Sequence, residues 1–312
     1  MGLKMKTFYK MKAVTCLITI SFLIFYKQIL SQTIPIKMER NRNILPVTIE
    51  GVGPLEILFD SGMSFDGLII YNPDLKDSIK LNKEIKVKIP GAGGDEPSTA
   101  LMDDSASFFV GGVKFKNQKV LILQNDIYKG FPTDGIIGYS ILGHYATEID
   151  YDKNVINIYD PQKIKPDNSW QKIPMYFKNN TIPWIDVSIS VKGEDPIKIS
   201  TYIDFAAGDA IVLLKKQEMK FSLPDNMDAA YIGRGLSGDI YGEKGKIWKI
   251  IIGSFELNEV TAMVAPDEIR SKQVDADAVI GNDALRRFNI IFSYDNKILY
   301  IKPNKYFNEN FE

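Results

Sequence analysis

Two aspartates stand at the ends of apolar runs, 144 residues apart. Ile57-Leu58-Phe59 leads into Asp60-Ser61-Gly62-Met63-Ser64, and Tyr202-Ile203 leads into Asp204-Phe205-Ala206-Ala207-Gly208. A carboxylate on a tight turn is met by backbone N–H groups, and glycine permits such a turn. Two turns of this kind, face to face, hold two carboxylates close together. Like charges at that range do not both ionise readily, so the pair shares a proton. One carboxylate then takes a proton from a bound water while the other gives one to a carbonyl oxygen. The water attacks directly, so the chemistry needs no nucleophilic side chain, metal or cofactor.

The elements that must position the aspartates also occur twice. Asp134-Gly135-Ile136-Ile137-Gly138 parallels Asp277-Ala278-Val279-Ile280-Gly281, and Tyr151-Asp152-Lys153-Asn154 parallels Tyr294-Asp295-Asn296-Lys297, both at a spacing of 143. Each half carries a Gly-rich stretch in between, Pro90-Gly91-Ala92-Gly93-Gly94 and Gly233-Arg234-Gly235-Leu236-Ser237-Gly238. Shared order and nearly constant spacing identify an internal duplication. Short Ile, Val, Phe and Tyr runs cut by Gly, Asn, Asp and Pro read as strands of a sandwich or barrel. Examples are Leu45–Glu50, Ile85–Ile89, Ser107–Val110, Val120–Leu123, Val155–Tyr159 and Ile298–Ile301. Short helices are expected at Asp126–Lys129, Ser140–His144, Lys215–Met219 and Asp283–Phe288. The polar stretch Pro161–Trp170 reads as a connector, which divides the chain into a leader over 1–31 and lobes over 32–165 and 166–312.

On these residues the chain resembles the aspartic proteases, the clan of pepsin-like and retropepsin-like enzymes. The likeness spans essentially everything after the leader. It implies an all-β, bilobal fold of two related closed-barrel lobes with a central cleft. It also implies catalysis by Asp60 and Asp204, with Gly138 and Gly281 threading beside the catalytic loops. Ser61 would make the cross-lobe bond and Ser64 the outer bond to the carboxylate. Gly91, Gly93, Gly94, Gly233 and Gly235 would belong to substrate-covering flaps. Flaps in both halves, rather than one, would mark the retropepsin-like arrangement.

The second lobe departs from the pattern. Phe205 stands where Ser61 does, Ala206 where Gly62 does and Gly208 where Ser64 does. Two functions are compatible with this. The first is an exported endopeptidase that hydrolyses peptide bonds in extended substrates. The second is a protein of the same fold that binds peptide, glycan or protein in the cleft without turnover. Phe205 filling the space between the aspartates would favour the second, and Phe205→Thr with Ala206→Gly would then be a restoring change.

Composition bounds the rest. Lys4, Lys6, Lys10 and Lys12 precede an apolar run from Ala13 to Tyr26, which reads as a secretory signal, with an uncleaved membrane anchor as the alternative. Export to a periplasm or to the medium is therefore expected. Lys, Asn and Ile richness suits a bacterial source, whereas Asn179-Asn180-Thr181 would be a glycosylation acceptor in a eukaryotic one. The leader holds five of the 38 basic residues and none of the 39 acidic ones, leaving a formal charge of −6 on the rest. That argues against nucleic acid as a partner, and any membrane contact would come through the leader alone. The single cysteine, Cys16, lies in the leader, so disulfides, thiol catalysis and cysteine metal sites are not expected. The Gly91–Gly94 stretch lacks the Lys-Ser/Thr ending of a phosphate loop. His144, the one histidine, reads as a surface or packing residue, and Asp103-Asp104 and Asp225/Asp228 as solvated loop acids rather than metal ligands.

Overall fold

The structure is a computed structural model. It describes residues 31–89, 91, 96–178, 180–216, 218–266 and 276–311. Residues 1–30, Gly93, Gly94 and Asn179 lie outside the described residues, as do the expectations placed on them.

The first half contributes β1 (Ser31–Pro35), β2 (Lys37–Glu39), β3 (Arg42–Ile49), β4 (Val52–Phe59), β5 (Gly67–Ile70), β6 (Ile85–Ile89), β7 (Ser98–Val110), β8 (Val113–Leu123) and β9 (Gly135–Ile137). After the helix α1 (Tyr139–Leu142) come β10 (Ala146–Asp150) and β11 (Val155–Tyr159). The second half contributes β12 (Gln171–Pro174), β13 (Trp184–Ser190), β14 (Ile197–Asp204), β15 (Ile211–Lys215), β16 (Asp228–Gly235), β17 (Gly238–Ile252), β18 (Phe255–Pro266) and β19 (Ala278–Gly281). The helix α2 (Asn282–Leu285), β20 (Phe288–Ser293) and β21 (Ile298–Pro303) complete it.

The fold is all-β and bilobal, as expected. One sheet runs β2-β3-β4-β9-β5-β8-β7-β6, and another runs β13-β14-β19-β15-β18-β17-β16. Pairing of β7 with β3, the second strand of its sheet, and of β17 with β13, the first of its sheet, bends each sheet back on itself. Both sheets use the same circuit. A middle strand (β9 or β19) lies parallel to the strand that ends in the aspartate and antiparallel to the next one. Strands enclosed in this way bury both faces, which is why Ile57-Leu58-Phe59 and Ile211–Leu214 are continuous apolar runs rather than alternating ones.

A third sheet, β1-β11-β10-β20-β21-β12, draws strands from both sides of the 165/166 division. It joins the halves where Thr147 faces Phe292 and Ile149 faces Ile290. The hydrophobic core is continuous across that junction, taking in Phe59, Ile149, Phe205, Phe288 and Phe292. A buried polar chain crosses it too. Asn43 Nδ2 donates to the Tyr151 hydroxyl at 2.9 Å, and that hydroxyl donates to Asn282 Oδ1 at 2.6 Å.

Two of the four expected helices form, as the single turns α1 and α2. Residues 126–129 make only a turn, closed by Lys129 N–H on the Asp126 carbonyl. Lys215 ends β15 instead of starting a helix, because Leu213 and Leu214 are already committed to parallel pairing with β18. The acid pair Asp103-Asp104 is a further correction. Both lie in β7, and Asp103 is 0% exposed at a bulge between Asp103 and Ala106. Its burial is possible because four donors meet it: the backbone N–H groups of Asn82, Lys83 and Ser105, and the Ser105 hydroxyl.

Candidate active site

Asp60 follows the last residue of β4 and is 8% exposed. Its backbone N–H donates to the Ile137 carbonyl of β9 at 2.8 Å. A side chain at Gly138 could not coexist with this loop, since its Cβ would collide with the Asp60 carbonyl. The Gly62 N–H donates to Asp60 Oδ1 at 2.6 Å.

Asp204 ends β14 in parallel register with Gly281. Two backbone N–H groups, from Ala206 and Ala207, donate to its Oδ1 at 2.9 and 3.1 Å. Neither Phe205 nor Ala206 takes a positive φ, so the turn does not require glycine at either position. Gly281 performs the threading role of Gly138 one step further along. Its Cβ would fall 2.2 Å from the Asp209 carbonyl oxygen and 2.9 Å from that of Ala207.

The two aspartates converge. A Cβ on Gly62 would lie 3.0 Å from Asp204 Cγ, 3.1 Å from Asp204 Oδ2 and 3.2 Å from Asp60 Oδ1. Both carboxylates therefore approach the same face of Gly62. Ser61 makes the cross-half bond. Its hydroxyl donates to the Ile203 carbonyl at 2.8 Å and accepts from the Phe205 N–H at 3.2 Å. Phe205 sends no hydroxyl back. Its ring is fully buried, stacked on Phe59 with centroids 5.6 Å apart and edge-on to Phe292 at 5.7 Å. It fills core, not the space between the carboxylates.

Ser64 is exposed, and its carbonyl accepts from Thr181 Oγ1 of the second half at 3.1 Å. His144 is exposed as well, with Nε2 2.9 Å from Asp66 Oδ2 just beyond the first loop. Asp66 also accepts from the Ser140 hydroxyl at 3.0 Å. Among the described residues, no three His, Cys, Asp or Glu side chains come together as a metal would require.

The strands β6 and β7 pair antiparallel, as do β16 and β17, and Gly91 between the first two meets the turn between the second two. Gly91 approaches Leu236 so closely that a Cβ on it would fall 2.4 Å from the Leu236 Cβ. Gly233 and Gly235 lie in β16, where Gly235 pairs with Gly238 and leaves Leu236-Ser237 at the turn. Leu236 packs on a first-half apolar cluster that includes Met63, Phe65, Tyr71, Tyr128 and Ile136. Ser98 Oγ donates to the Leu236 carbonyl at 2.5 Å, and Arg234 Nη1 donates to the Ile127 carbonyl at 2.6 Å. Arg234 is itself held by Asp239, with Nε 2.6 Å from Oδ1.

Three buried tyrosine hydroxyls lie within the field of Asp60. Burial pushes Tyr71, Tyr128 and Tyr294 above the ordinary range, and the Asp60 charge adds to the rise in all three. Tyr71 and Tyr128 stack with centroids 4.2 Å apart. Neither was legible as a site residue, because they lie 11 and 68 positions beyond Asp60 and only the closed sheet returns them to it. Arg42 was missed for the same reason. It reaches across the halves, and its Nε donates to the Ala206 carbonyl at 2.9 Å.

Residues 45–141 match the family model described as aspartyl protease. The match takes in the Asp60-Ser61-Gly62 loop and the Gly138 threading segment, and it ends in α1. No curated protein matches the chain.

Proposed function

We propose that this chain, whose residues 45–141 match the aspartyl protease family model, is an exported endopeptidase whose Asp60 and Asp204 together activate a water molecule. The observation that carries the proposal is the approach of both carboxylates to the same face of Gly62. A water bridging the two carboxylates would be within reach of both. One carboxylate takes its proton as the oxygen attacks the peptide carbonyl. The other, holding the shared proton, gives it to the carbonyl oxygen. Collapse of the resulting diol passes a proton to the leaving amine and restores the starting state. An extended peptide would lie between the dyad and the two hairpins, its backbone pairing as an added strand.

A second reading is peptide binding without turnover. It is favoured by Ala206 and Gly208, which stand where the first half has Gly62 and Ser64. One experiment separates the two. Purified protein is assayed on a peptide library across pH, with and without a statine-type inhibitor, beside Asp60→Asn and Asp204→Asn. The protease reading expects inhibitor-sensitive cleavage, highest at acidic to neutral pH and reduced at least about a thousandfold in both variants. Cleavage unchanged in Asp60→Asn removes it. Peptide bound but never cut supports the second reading.

A further inference from the structure

The turn between β2 and β3 is unusual. Arg40 and Asn41 both take left-handed backbone, with φ of 48° and 56°, and Glu39 pairs with Arg42 around them. Asn accepts this conformation readily, whereas Arg does not, and such strain persists where the surroundings enforce it. The surroundings here are the Asp204 loop and α2. The Arg40 carbonyl lies 2.8 Å from where a Gly208 Cβ would be. The Asn41 carbonyl accepts from Asn282 Nδ2 at 2.8 Å. Arg42 Nε donates to the Ala206 carbonyl. Gly208, which in the sequence stands in place of an outer serine, is what admits the turn.

This docking fixes the Arg42 guanidinium beside the Asp204 loop through one edge only. Neither Nη makes a hydrogen bond within the described residues, no carboxylate there pairs with Arg42, and the side chain is half-buried. Ala206, whose carbonyl holds Arg42, also donates its N–H to Asp204 Oδ1, so the guanidinium lies on the loop that carries this aspartate. A guanidinium held by Nε still offers a planar fork that matches a carboxylate. We propose that Arg42 is a binding residue for a carboxylate of the bound peptide, either an Asp or Glu side chain or the C-terminus, at one fixed position on the Asp204 side of the scissile bond. The proposal rests on the peptide-cleft reading above. It adds a specificity that this reading does not itself imply.

The test uses binding, so that it does not depend on turnover. Fluorescent peptides carrying Glu or Gln at one position at a time, and ending in a free carboxylate or an amide, are titrated into the full chain bearing Asp60→Asn. The same set is titrated into Asp60→Asn combined with Arg42→Gln or with Arg42→Lys. The expected result is about tenfold tighter binding of the acid over the amide at one position, the discrimination of one charge-assisted bond. A side-chain source appears in the Glu/Gln series and a terminal source in the carboxylate/amide series. Arg42→Gln should abolish the discrimination while neutral peptides still bind, and Arg42→Lys should keep part of it. Should Arg42→Gln not fold, Arg42→Lys decides, because full acid preference without the fork overturns the proposal. Neutral peptides bound with no acid preference, or the same preference in Arg42→Gln, overturn it and leave the peptide-cleft reading standing. No peptide bound at all overturns that reading, and this one with it.

Discussion

Phe205 of the second half lies flat against Phe59 of the first, with ring planes 25° apart. In the first half the residue after the aspartate is Ser61, whose hydroxyl bridges to Ile203 and Phe205. The Asp60 and Asp204 loops are thus tied by one polar arm and one aromatic arm. The second arm replaces hydrogen bonding with buried area and stacking.

On sequence grounds, Phe205→Thr with Ala206→Gly is a restoring change for a weakened protease, and the packing of Phe205 reverses that expectation. Threonine would leave a cavity between Phe59 and Phe292 and place a hydroxyl among aromatic rings. Phe205→Thr should cost about 3 kcal/mol or more of stability, as large-to-small core changes do. Urea unfolding measures this, and activity should fall with the loss of fold rather than rise. Ala206→Gly alone should be nearly silent in stability.

Gly62→Ala tests the convergence of the carboxylates. Its methyl would stand 3.0 to 3.2 Å from atoms of both Asp204 and Asp60. The backbone there is not left-handed, so the fold should survive with little loss. Peptide cleavage should nevertheless drop about a hundredfold or more, because the methyl would press both carboxylates out of position. Retained activity with an unchanged thermal midpoint would mean that the carboxylates do not need this placement.

The hairpin contact predicts a local change in dynamics. Arg234→Ala removes the bond to the Ile127 carbonyl and the partner of Asp239. Amide hydrogen exchange over residues 231–241 should rise about tenfold, while β14 stays protected. Exchange that is uniform across the second half would show that the arginine supports the lobe and not the tip.

Asp103 predicts acid sensitivity. Burial by itself would raise its carboxyl, but the Ser105 and Lys83 amides, the Ser105 hydroxyl and the Asn82 amide together hold it below the usual carboxylate range. A folded value below the unfolded one contributes stability at neutral pH, and this contribution is lost as pH falls through the folded value. Asp103→Asn should therefore lower stability at about pH 7 by roughly 1–3 kcal/mol. The gap between variant and wild type should narrow toward about pH 3 when both are unfolded in urea.

The sequence by itself determined the all-β, bilobal fold class and the aspartyl protease resemblance of residues 45–141. These are local or periodic signals. Apolar runs select strands, and glycine marks positions such as 138 where a Cβ would collide with backbone. Tertiary structure alone decided which way Phe205 points, that Ser61 finds a carbonyl rather than a second hydroxyl, that Arg42 crosses to the Ala206 carbonyl, and that Asp103 is buried. Each of these depends on a partner brought in by sheet closure or by the packing of one half on the other. The Ser61–Ile203 and Arg42–Ala206 bonds span 142 and 164 residues, and no pattern within either segment encodes the register that joins them.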